Sequence, residues 1–384
     1  MRRTLSALSV GVMVLGLAAC SSPEASEAPS SAPPESASAS AETSDAASPS
    51  AEAPEAATVR MAFPNLRCIQ NFPTYVAQAV GYFEDEALDV EMEVISGSSA
   101  IAQQLLAGNL DVGLVSATTP IQAASVDQDL RVFYTVAYQS GFTLVVPADS
   151  GITDVSGLSG GVIGITEASG GEVPLVQAVM ASAGLAEGTD YSLLPVGDGG
   201  PVTFDALESG NVDAYSSSIF DVATLQSAGL ELESILPEQY RYVPSTSFAA
   251  TGDMLTENPD VLARYGRAIA KATVFGQTNP DAVRTICQEF DPDFPWDDTA
   301  FVDAAWDATL GYYAPHPRME DAPWGAHDLD AWQTYVDAAV EAGEEAGGLA
   351  EPIDIEAVAD DSLIEQINDF DEDEVVSEAE AYSP

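Results

Sequence analysis

The sequence predicts an α/β protein with two similar lobes, each built on a mostly parallel sheet flanked by helices. Strand-like runs such as 58–63 and 88–96 alternate with helical stretches such as 72–83 and 98–109. Strands that alternate with helices in this way are typical of parallel sheets joined by right-handed crossover connections. The alternation restarts near residue 150, which predicts a second sheet.

A repeat inside the sequence supports two copies of one lobe. LAGNLDVGLVSATTP at 106–120 is followed 102 residues later (Gly210 minus Gly108) by LESGNVDAYSSSIFD at 207–221. In each copy a helix stops at a glycine, and a strand then leads into a hydroxyl-rich turn. A single Gly-Asn helix stop is common in proteins, but it does not explain why helix, strand and hydroxyl-rich turn follow in the same order in both copies. The matched positions are Leu105, Gly108, Asn109 and Asp111 in the first copy and Leu207, Gly210, Asn211 and Asp213 in the second.

The order of elements predicts that the chain crosses between the lobes twice. Two extended runs within 131–150 break at Ser140-Gly141, and 245–255 is extended again before a series of helices that we expect to cover the first lobe. We expect hinges near Gly141–Phe142 and Ala250–Gly252. The predicted segments are a signal peptide (1–19), a lipidated cysteine with a disordered tether (20–57), lobe 1 (58–142 and 246–345), lobe 2 (143–245) and an acidic C-terminal extension (346–384) that frays from 369.

The N-terminus has the pattern of an export signal. An arginine pair precedes an apolar run at 5–17, which is shorter than the ~20 residues that a membrane-spanning helix needs. LGLAAC, which ends at Cys20, resembles the lipobox of bacterial lipoproteins, whose cysteine is lipidated. An ordinary cleavage site beside an accidental cysteine is the alternative. Residues 21–57 contain only Ala, Ser, Pro, Glu, Thr and Asp, which predicts a disordered tether.

Charge and the few cysteines and histidines limit the chemistry. The formal net charge of −51 repels nucleic acid, which is therefore not an expected partner. An oxidising exterior favours a disulfide between Cys68 and Cys287, although sequence alone leaves the bridge open. His316 and His327 lack the ligand spacing of a metal site, so we expect neither a metal nor a cofactor.

Polar residues cluster where predicted strands end. In open α/β sheets, ligands bind outside the carboxyl ends of the strands, where helix N-termini present unpaired N–H groups. Thr119 to Gln122 matches a capping box with Thr119 as N-cap, and Ser218 with Asp221 matches another. Each turn alone predicts a helix cap, and together they predict a ligand cleft. The turns contain Ser98 and Ser99 after Gly97, Ser116 to Thr118, Ser169 to Glu172, and Ser216 to Ser218.

These segments resemble a known family. FPTYVAQAVGYFEDEALDVEMEVISGSSAIAQQLLAGNLDVGLVS, GLSGGVIGITEASGGEVPLVQAVMASAGL and ALESGNVDAYSSS are similar to solute-binding proteins of ABC importers, in particular to the branch that binds sulfonates, nitrate and thiamine pyrimidine precursors. The resemblance covers roughly 58–345. It implies a type II periplasmic-binding-protein-like fold with two hinge crossings.

The resemblance implies that the two lobes close over one small solute and then dock on an ABC permease. Three aromatic residues of the implied site could stack on a planar ligand. Arg67 is the cation near the predicted cleft and Glu172 lies in a helix's first turn, so a neutral or ring-bearing solute fits at least as well as an anion. The expected ligand-binding residues are Arg67, Phe72, Ser98, Ser99, Ser116, Ala117, Thr118, Tyr138, Gln139, Ser140, Ser169, Gly170, Gly171, Glu172, Tyr215, Ser216, Ser217 and Ser218.

We expect a monomer, anchored through lipid on Cys20 to the outer face of the bacterial cytoplasmic membrane. Two other functions stay open. A pyrimidine synthase of this fold would require a cofactor-linked lysine, active-site histidines and a cysteine-rich motif, whereas Lys271 is the chain's one lysine and LRCIQ has one cysteine. No paired nucleophile and base is recognisable in the sequence, so we predict a non-enzyme. A surface interaction lipoprotein is the other alternative, and it would show no solute-dependent stabilisation.

Overall fold

The computed structural model describes residues 54–64, 67–168, 170–342 and 349–383. The predicted signal peptide, Cys20 and the part of the tether before residue 54 lie outside these residues. Within the described ranges, no helix has both the length and the apolar character needed to cross a membrane.

The strands form two five-stranded sheets of equivalent order. The first sheet has the order β2-β1-β3-β10-β4 and the second β7-β6-β8-β5-β9. In each sheet the first three strands are parallel and the fourth is antiparallel to its neighbours. The strands are β1 (Ala57–Phe63), β2 (Leu88–Val94), β3 (Val112–Ser116), β4 (Leu130–Thr135), β5 (Phe142–Pro147), β6 (Val162–Ile165), β7 (Ser192–Pro195), β8 (Ala214–Ser218), β9 (Leu232–Ser234) and β10 (Thr246–Thr251).

Helices pack on the sheets, and apolar clusters lie on both faces of each sheet. The helices are α1 (Phe72–Val80), α2 (Tyr82–Asp85), α3 (Ser98–Leu106), α4 (Thr118–Ala124), α5 (Val173–Ser182), α6 (Pro201–Glu208), α7 (Ile219–Ser227), α8 (Glu238–Arg241), α9 (Gly252–Glu257), α10 (Pro259–Thr278), α11 (Pro280–Phe290), α12 (Thr299–Tyr313), α13 (Leu329–Ala342), α14 (Ile364–Ile367) and α15 (Glu372–Ala381). We call β1–β4 and β10 with α1–α4 and α9–α15 lobe 1, and β5–β9 with α5–α8 lobe 2. The predicted α/β fold of two lobes with mostly parallel sheets is confirmed.

Burial explains the composition of the strands. Residues Val112 to Val115 of β3 are all buried because β3 lies inside a sheet that is covered on both faces. β2 is an edge strand, and its residues alternate: Leu88 and Val90 are buried, while Asp89 and Glu91 are exposed. Because the central strands are buried on both faces, the turns that follow them are held in fixed positions.

The sequence repeat forms the same turn in both lobes. The two glycines that end the preceding helices have φ of 72° and 70°, in the left-handed region. Asp111 then accepts a hydrogen bond from the Arg60 backbone N–H at 2.9 Å, and Asp213 accepts one from the Val162 backbone N–H at 2.8 Å. Each aspartate thereby ties the start of a strand to its parallel neighbour. The turns lie at the edge of each sheet opposite the carboxyl ends of the parallel strands.

The chain passes between the sheets at 136–141 and at 235–245. The first passage ends at Gly141, the first residue of the hinge predicted at Gly141–Phe142, and Phe142 already begins β5. The second hinge prediction, Ala250–Gly252, is wrong, because β10 is already paired with β3 and β4 from its first residues. The run predicted as extended to residue 255 turns into α9 at Gly252, since the Thr251 hydroxyl accepts a hydrogen bond from the Met254 N–H and caps that helix.

Helix α12 lies between the lobes. On one side, Trp306 joins the core of lobe 1, with its ring centroid 5.1 Å from that of Phe72. The other side carries the small residues Ala304 and Ala308, and this helix packs against α7 of lobe 2. Small side chains on that side allow the two helix backbones to approach closely.

A disulfide joins Cys68 and Cys287, whose Cα atoms are 5.4 Å apart. The sequence left this bridge open. Cys68 begins the 3₁₀ turn that follows β1, and Cys287 lies in α11, so both ends belong to lobe 1. The bridge spans 219 residues of sequence and so restricts the unfolded chain strongly.

The C-terminal residues pack on lobe 1, so the prediction that they fray is wrong. In α15 the side chains of Val375 and Ala379 are buried against lobe 1, and the Asn279 amide donates to the Ala379 carbonyl at 2.8 Å. Apolar residues spaced four apart face α10 despite the acidic residues around them. Farther upstream, the Val132 N–H donates to the Val358 carbonyl at 2.8 Å, which covers the outer edge of β4.

Candidate functional site

Hydroxyl groups meet at the carboxyl ends of the lobe 1 strands. The Ser98 hydroxyl, in the first residue of α3, accepts a hydrogen bond from the Ser116 N–H at 3.1 Å. The Ser116 hydroxyl lies 2.9 Å from that of Thr118 and 3.3 Å from that of Thr119. The structure therefore brings three of the predicted ligand residues together, with the predicted residue Ser99 exposed beside them.

The predicted N-cap at Thr119 is wrong. Helix α4 begins at Thr118, and Ala117 is the residue before it, with helical φ and ψ of −56° and −30° and no side-chain cap. Ala117 is buried, and so is Thr119. β3 turns directly into the helix, so the threonine hydroxyls are free to bond Ser116 instead of the helix N-terminus.

In lobe 2, Glu172 lies beside the carboxyl end of β6. Its carboxylate accepts hydrogen bonds from the Thr166 N–H at 2.8 Å and the Thr166 hydroxyl at 2.6 Å. Glu172 is 1 % exposed. A Cβ at Gly170 would clash with this carboxylate, and one at Gly171 would lie 2.9 Å from the Phe142 ring. The glycines thus make room for Glu172 and Phe142, whereas we expected them to admit a ligand. Ser169 lies outside the described residues.

The serine run at the end of β8 is held by protein contacts. The Ser216 hydroxyl donates to the Thr143 carbonyl at 2.9 Å, and the Ser217 hydroxyl donates to the Asp221 carboxylate. Ser218 is the N-cap of α7, and its hydroxyl accepts from the Asp221 N–H at 3.1 Å. The predicted capping box at Ser218 is confirmed. Burial raises the pKa of Asp221, although the hydrogen bonds from Ser217 and Ser218 act to lower it.

Two predicted aromatic contacts are enclosed by protein in this conformation. Phe72 is 0 % exposed and stacks on Tyr313, with ring centroids 5.5 Å apart. Tyr215 is also fully buried, its hydroxyl donates to the Gly197 carbonyl at 2.7 Å, and burial raises its pKa to about 12. The Arg67 guanidinium lies 4.0 Å from the Asp291 carboxylate.

Tyr138, Gln139 and Ser140 form the first passage between the lobes. The Tyr138 hydroxyl donates to the Ala326 carbonyl at 2.8 Å, which holds it against lobe 1. The Gln139 side chain accepts a hydrogen bond from Nε of Arg241 at 2.8 Å, and the Ser140 N–H donates to the Arg241 carbonyl at 2.8 Å. These residues therefore tie the first passage to the second at Arg241.

Tyr312 connects both passages, and sequence reasoning missed it. Its carbonyl accepts hydrogen bonds from the Tyr138 and Gln139 N–H groups, at 3.2 and 3.3 Å. Its hydroxyl lies 2.9 Å from the Ser245 hydroxyl and 3.0 Å from the Thr246 hydroxyl. Arg241 was missed as well. Both residues are far in sequence from the strand-end turns, so no local pattern could have found them.

The other titratable residues singled out in the sequence have structural partners. The Lys271 ammonium, on α10 of lobe 1, lies 3.4 Å from the carboxylate of Glu86, the residue that follows α2. His327 is buried, with Nδ1 2.6 Å from the Thr135 hydroxyl and Nε2 3.1 Å from the Val132 carbonyl. Among the residues that the structure describes, no group of three or more metal-ligating side chains is close enough to hold an ion.

Comparisons with solved structures agree with the fold. The structure matches the periplasmic sulfonate-binding protein SsuA of Methylobacillus flagellatus KT with a TM-score of 0.57 and 17% identity, over 81% of this chain and 94% of that one. It matches the periplasmic aliphatic sulphonate binding protein SsuA of Escherichia coli with a TM-score of 0.55 and 14% identity, over 78% and 91% of the two chains. The chain has the two-lobed fold of periplasmic binding proteins.

Sequence comparisons identify the family. YtlA, a candidate binding protein of Bacillus subtilis strain 168, is 24% identical over 257 residues, which are 66% of this chain and 76% of YtlA. The family model described as NMT1/THI5 like matches residues 69–283, or 215 of 384 residues. The predicted resemblance is confirmed, and since the match covers more than half of the sequence, the chain belongs to the NMT1/THI5-like family.

Proposed function

We propose that this chain is the extracytoplasmic solute-binding component of an ABC importer, which closes over one small organic solute and delivers it to a permease. The observation that carries the proposal is the pair of equivalent sheets, joined by two passages that Tyr312 holds together. Two lobes on such a hinge are suited to close around a ligand. The names of the SsuA proteins and of YtlA support a binding role.

The solute site lies between the strand ends of the two lobes in this proposal. Lobe 1 contributes the hydroxyls of Ser98, Ser116 and Thr118 and the exposed Ser99 at the start of α3. Lobe 2 contributes the edge that contains Glu172. The rings of Phe72 and Tyr215 are enclosed, so they can stack on a solute only if movement of the lobes exposes them. We therefore propose that the solute first contacts the hydroxyl groups.

The charges at this cleft favour a neutral or amine-bearing solute over a strong anion. Among the described ion pairs, none involves Glu172 or Asp221, so no described cation pairs with these carboxylates. Arg67, the cation predicted near the cleft, has Asp291 beside it. A negative edge raises the local concentration of cations and lowers that of anions.

Thermal unfolding against a solute panel tests the proposal. The panel contains sulfonates, nitrate, pyrimidines, flavins, amino acids and sugars. A ligand at about 100 times its Kd adds about 2.7 kcal/mol, which raises the midpoint by several degrees. A panel without any shift, together with no small molecule in the purified protein, would favour the surface interaction lipoprotein. A response limited to sulfonates or nitrate would overturn the proposed charge preference.

A matched pair of variants places the solute in the cleft. Ser99→Trp adds a bulky side chain at an exposed position on the strand-end edge, and we expect it to abolish the shift in midpoint. Gln103→Trp adds the same side chain one turn farther along α3, also at an exposed position, and should leave the shift intact. Equal behaviour of the two variants would place the solute elsewhere.

The membrane anchor is a further part of the proposal. Lipid on Cys20 would hold the folded lobes at the outer membrane face through the tether of residues 21–57. We expect Cys20→Ala to move the protein from the membrane fraction to the soluble extracytoplasmic fraction in a bacterial host. Continued membrane association of Cys20→Ala would show that another segment provides the attachment.

A further inference from the structure

A cavity lies between α12 and lobe 2, beside the first passage. Its volume is about 660 Å³, which is within the range of small-molecule sites. Its walls come from both lobes, with Ala304 and Ala308 of α12 facing Ile219 and Val222 of α7. Among the residues predicted to bind the solute, Gln139 and Ser140 line this cavity. We call it the hinge cavity.

Arg241 and Asp307 are the charged residues that line the hinge cavity. Arg241 donates through Nε to Gln139, and its guanidinium carbon lies 5.3 Å from the centre of the Tyr242 ring. These contacts fix the side chain and leave its two terminal nitrogens without a partner among the described residues. Among the residues that the structure describes, none forms an ion pair or a hydrogen bond with the Asp307 side chain. The cavity thus presents one free cation and one free carboxylate.

The remaining polar groups of the cavity are already paired or uncharged. The hydroxyls of Thr143 and Ser234 bond each other at 3.0 Å, so they do not compete for a charged ligand. Leu232 and Leu236 extend the apolar wall. A ligand that satisfies this cavity therefore has an apolar body and two opposite charges.

We propose that the hinge cavity binds a small zwitterion with an aliphatic side chain, with its carboxylate on Arg241 and its ammonium group toward Asp307. The planar guanidinium presents two parallel N–H groups that match a carboxylate. A zwitterion adds no net charge, which suits a chain with a formal charge of −51 better than a simple anion does. Asp307 precedes Tyr312 by five residues, or roughly 7 Å along the helix, and Tyr312 contacts Gln139, the partner of Arg241.

Occupancy of this cavity would act on the hinge. Arg241 is bonded to Gln139 and Ser140 of the first passage, and α12 forms the opposite wall. A ligand held between these parts has a higher affinity for one arrangement of the two lobes than for others. The zwitterion would therefore change the affinity of the cleft for its solute, and the solute would change the affinity of the cavity by the same factor.

Calorimetric titration with leucine tests the site in the Ser99→Trp chain, so that binding in the cleft does not contribute. Two analogues isolate the charges: 4-methylpentanoate lacks the ammonium group, and 3-methylbutylamine lacks the carboxylate. We expect leucine to bind and each analogue to bind at least about tenfold more weakly. No leucine binding at millimolar concentration, or equal binding of 4-methylpentanoate, would overturn the proposal.

Variants locate the binding. Arg241→Gln and Asp307→Asn should each weaken leucine binding at least about tenfold, and Ala304→Phe should abolish it by filling the cavity. Arg284→Gln is the matched control, since it removes the same charge from a side chain that pairs with Asp303, and neither residue lines the cavity. Unchanged binding in both Arg241→Gln and Ala304→Phe, with unfolding midpoints near that of the parent chain, would place leucine outside this cavity.

Discussion

Lobe 1 and lobe 2 share their strand order but differ at the edge where their strands end. Far from that edge, Asp111 and Asp213 make the same backbone contact to a neighbouring strand. At the edge itself, both lobes carry hydroxyls, around Ser116 and at Ser216 to Ser218, but lobe 2 adds the buried carboxylate of Glu172 and the half-buried one of Asp221. The repeated residues therefore build the framework, and the two carboxylates that lobe 1 lacks distinguish the strand-end edge of lobe 2.

The largest expected difference between the lobes comes from the disulfide. Replacing both Cys68 and Cys287 by serine should cost about 2–5 kcal/mol of unfolding free energy, because the reduced chain gains conformational freedom when unfolded. The bridge lies within lobe 1, so hydrogen exchange should accelerate in β1 and β3 more than in β6 and β8. Equal acceleration in both lobes would mean that they unfold as one unit.

The paired aspartates test whether the repeat has the same energetic role in both lobes. Asp111→Ala and Asp213→Ala should each cost about 0.5–1.5 kcal/mol, since each removes the acceptor of a backbone N–H that water can reach. Arg60 pairs with Asp111, but its side chain is 42% exposed, so this ion pair adds less than about 1 kcal/mol. Urea unfolding measures the two values. A loss confined to one variant would show that the matched turns are not equivalent.

Acidification should weaken lobe 1 through His327. Burial lowers the pKa of His327, although the neighbouring Asp361 and Asp360 act to raise it. The unfolded chain therefore binds more protons below pH ~6.5, and stability falls as the pH decreases toward the pKa of the folded state, by at most about 1.4 kcal/mol per pH unit. Urea unfolding between neutral and mildly acidic pH should show this slope. His327→Gln should reduce it.

Lobe 2 contains the opposite case, with the smallest expected effect. Burial raises the pKa of Asp221, so the folded state favours the protonated form and gains stability as the pH falls through that pKa. Asp221→Asn removes the buried charge and leaves an oxygen that can accept from Ser217. We expect a change within about 1 kcal/mol at neutral pH, toward greater stability. A loss well above that value in thermal unfolding would show that the ionised carboxylate stabilises the lobe.

The sequence predicted the framework better than the cleft for a physical reason. Helix stops such as Gly108 and the cap at Ser218 depend on residues close in sequence, and both are present as expected. The run at 369–384 was misjudged because its acidic residues obscured the buried pair Val375 and Ala379. Local charge alone does not show which face of a helix is covered.

The cleft and hinge depend on contacts between distant residues. Tyr312 reaches Ser245 across 67 positions, and Arg241 reaches Gln139 across 102. The strand-end rule located the hydroxyls of Ser98 and Ser116 correctly beside each other. It could not show that Phe72 and other predicted contacts would be enclosed, because their exposure depends on how helices from elsewhere in the chain pack on them.

The C-terminal cover of β4 has a consequence for how copies of this protein meet. The Val132 N–H and carbonyl, on an edge strand, are bonded to Val358 and Asp360 at 2.8 and 2.9 Å. Free groups on such an edge pair readily with a strand of a second molecule and seed aggregates. A chain shortened to end before residue 349 would expose this edge, so these last residues act as a guard against self-association.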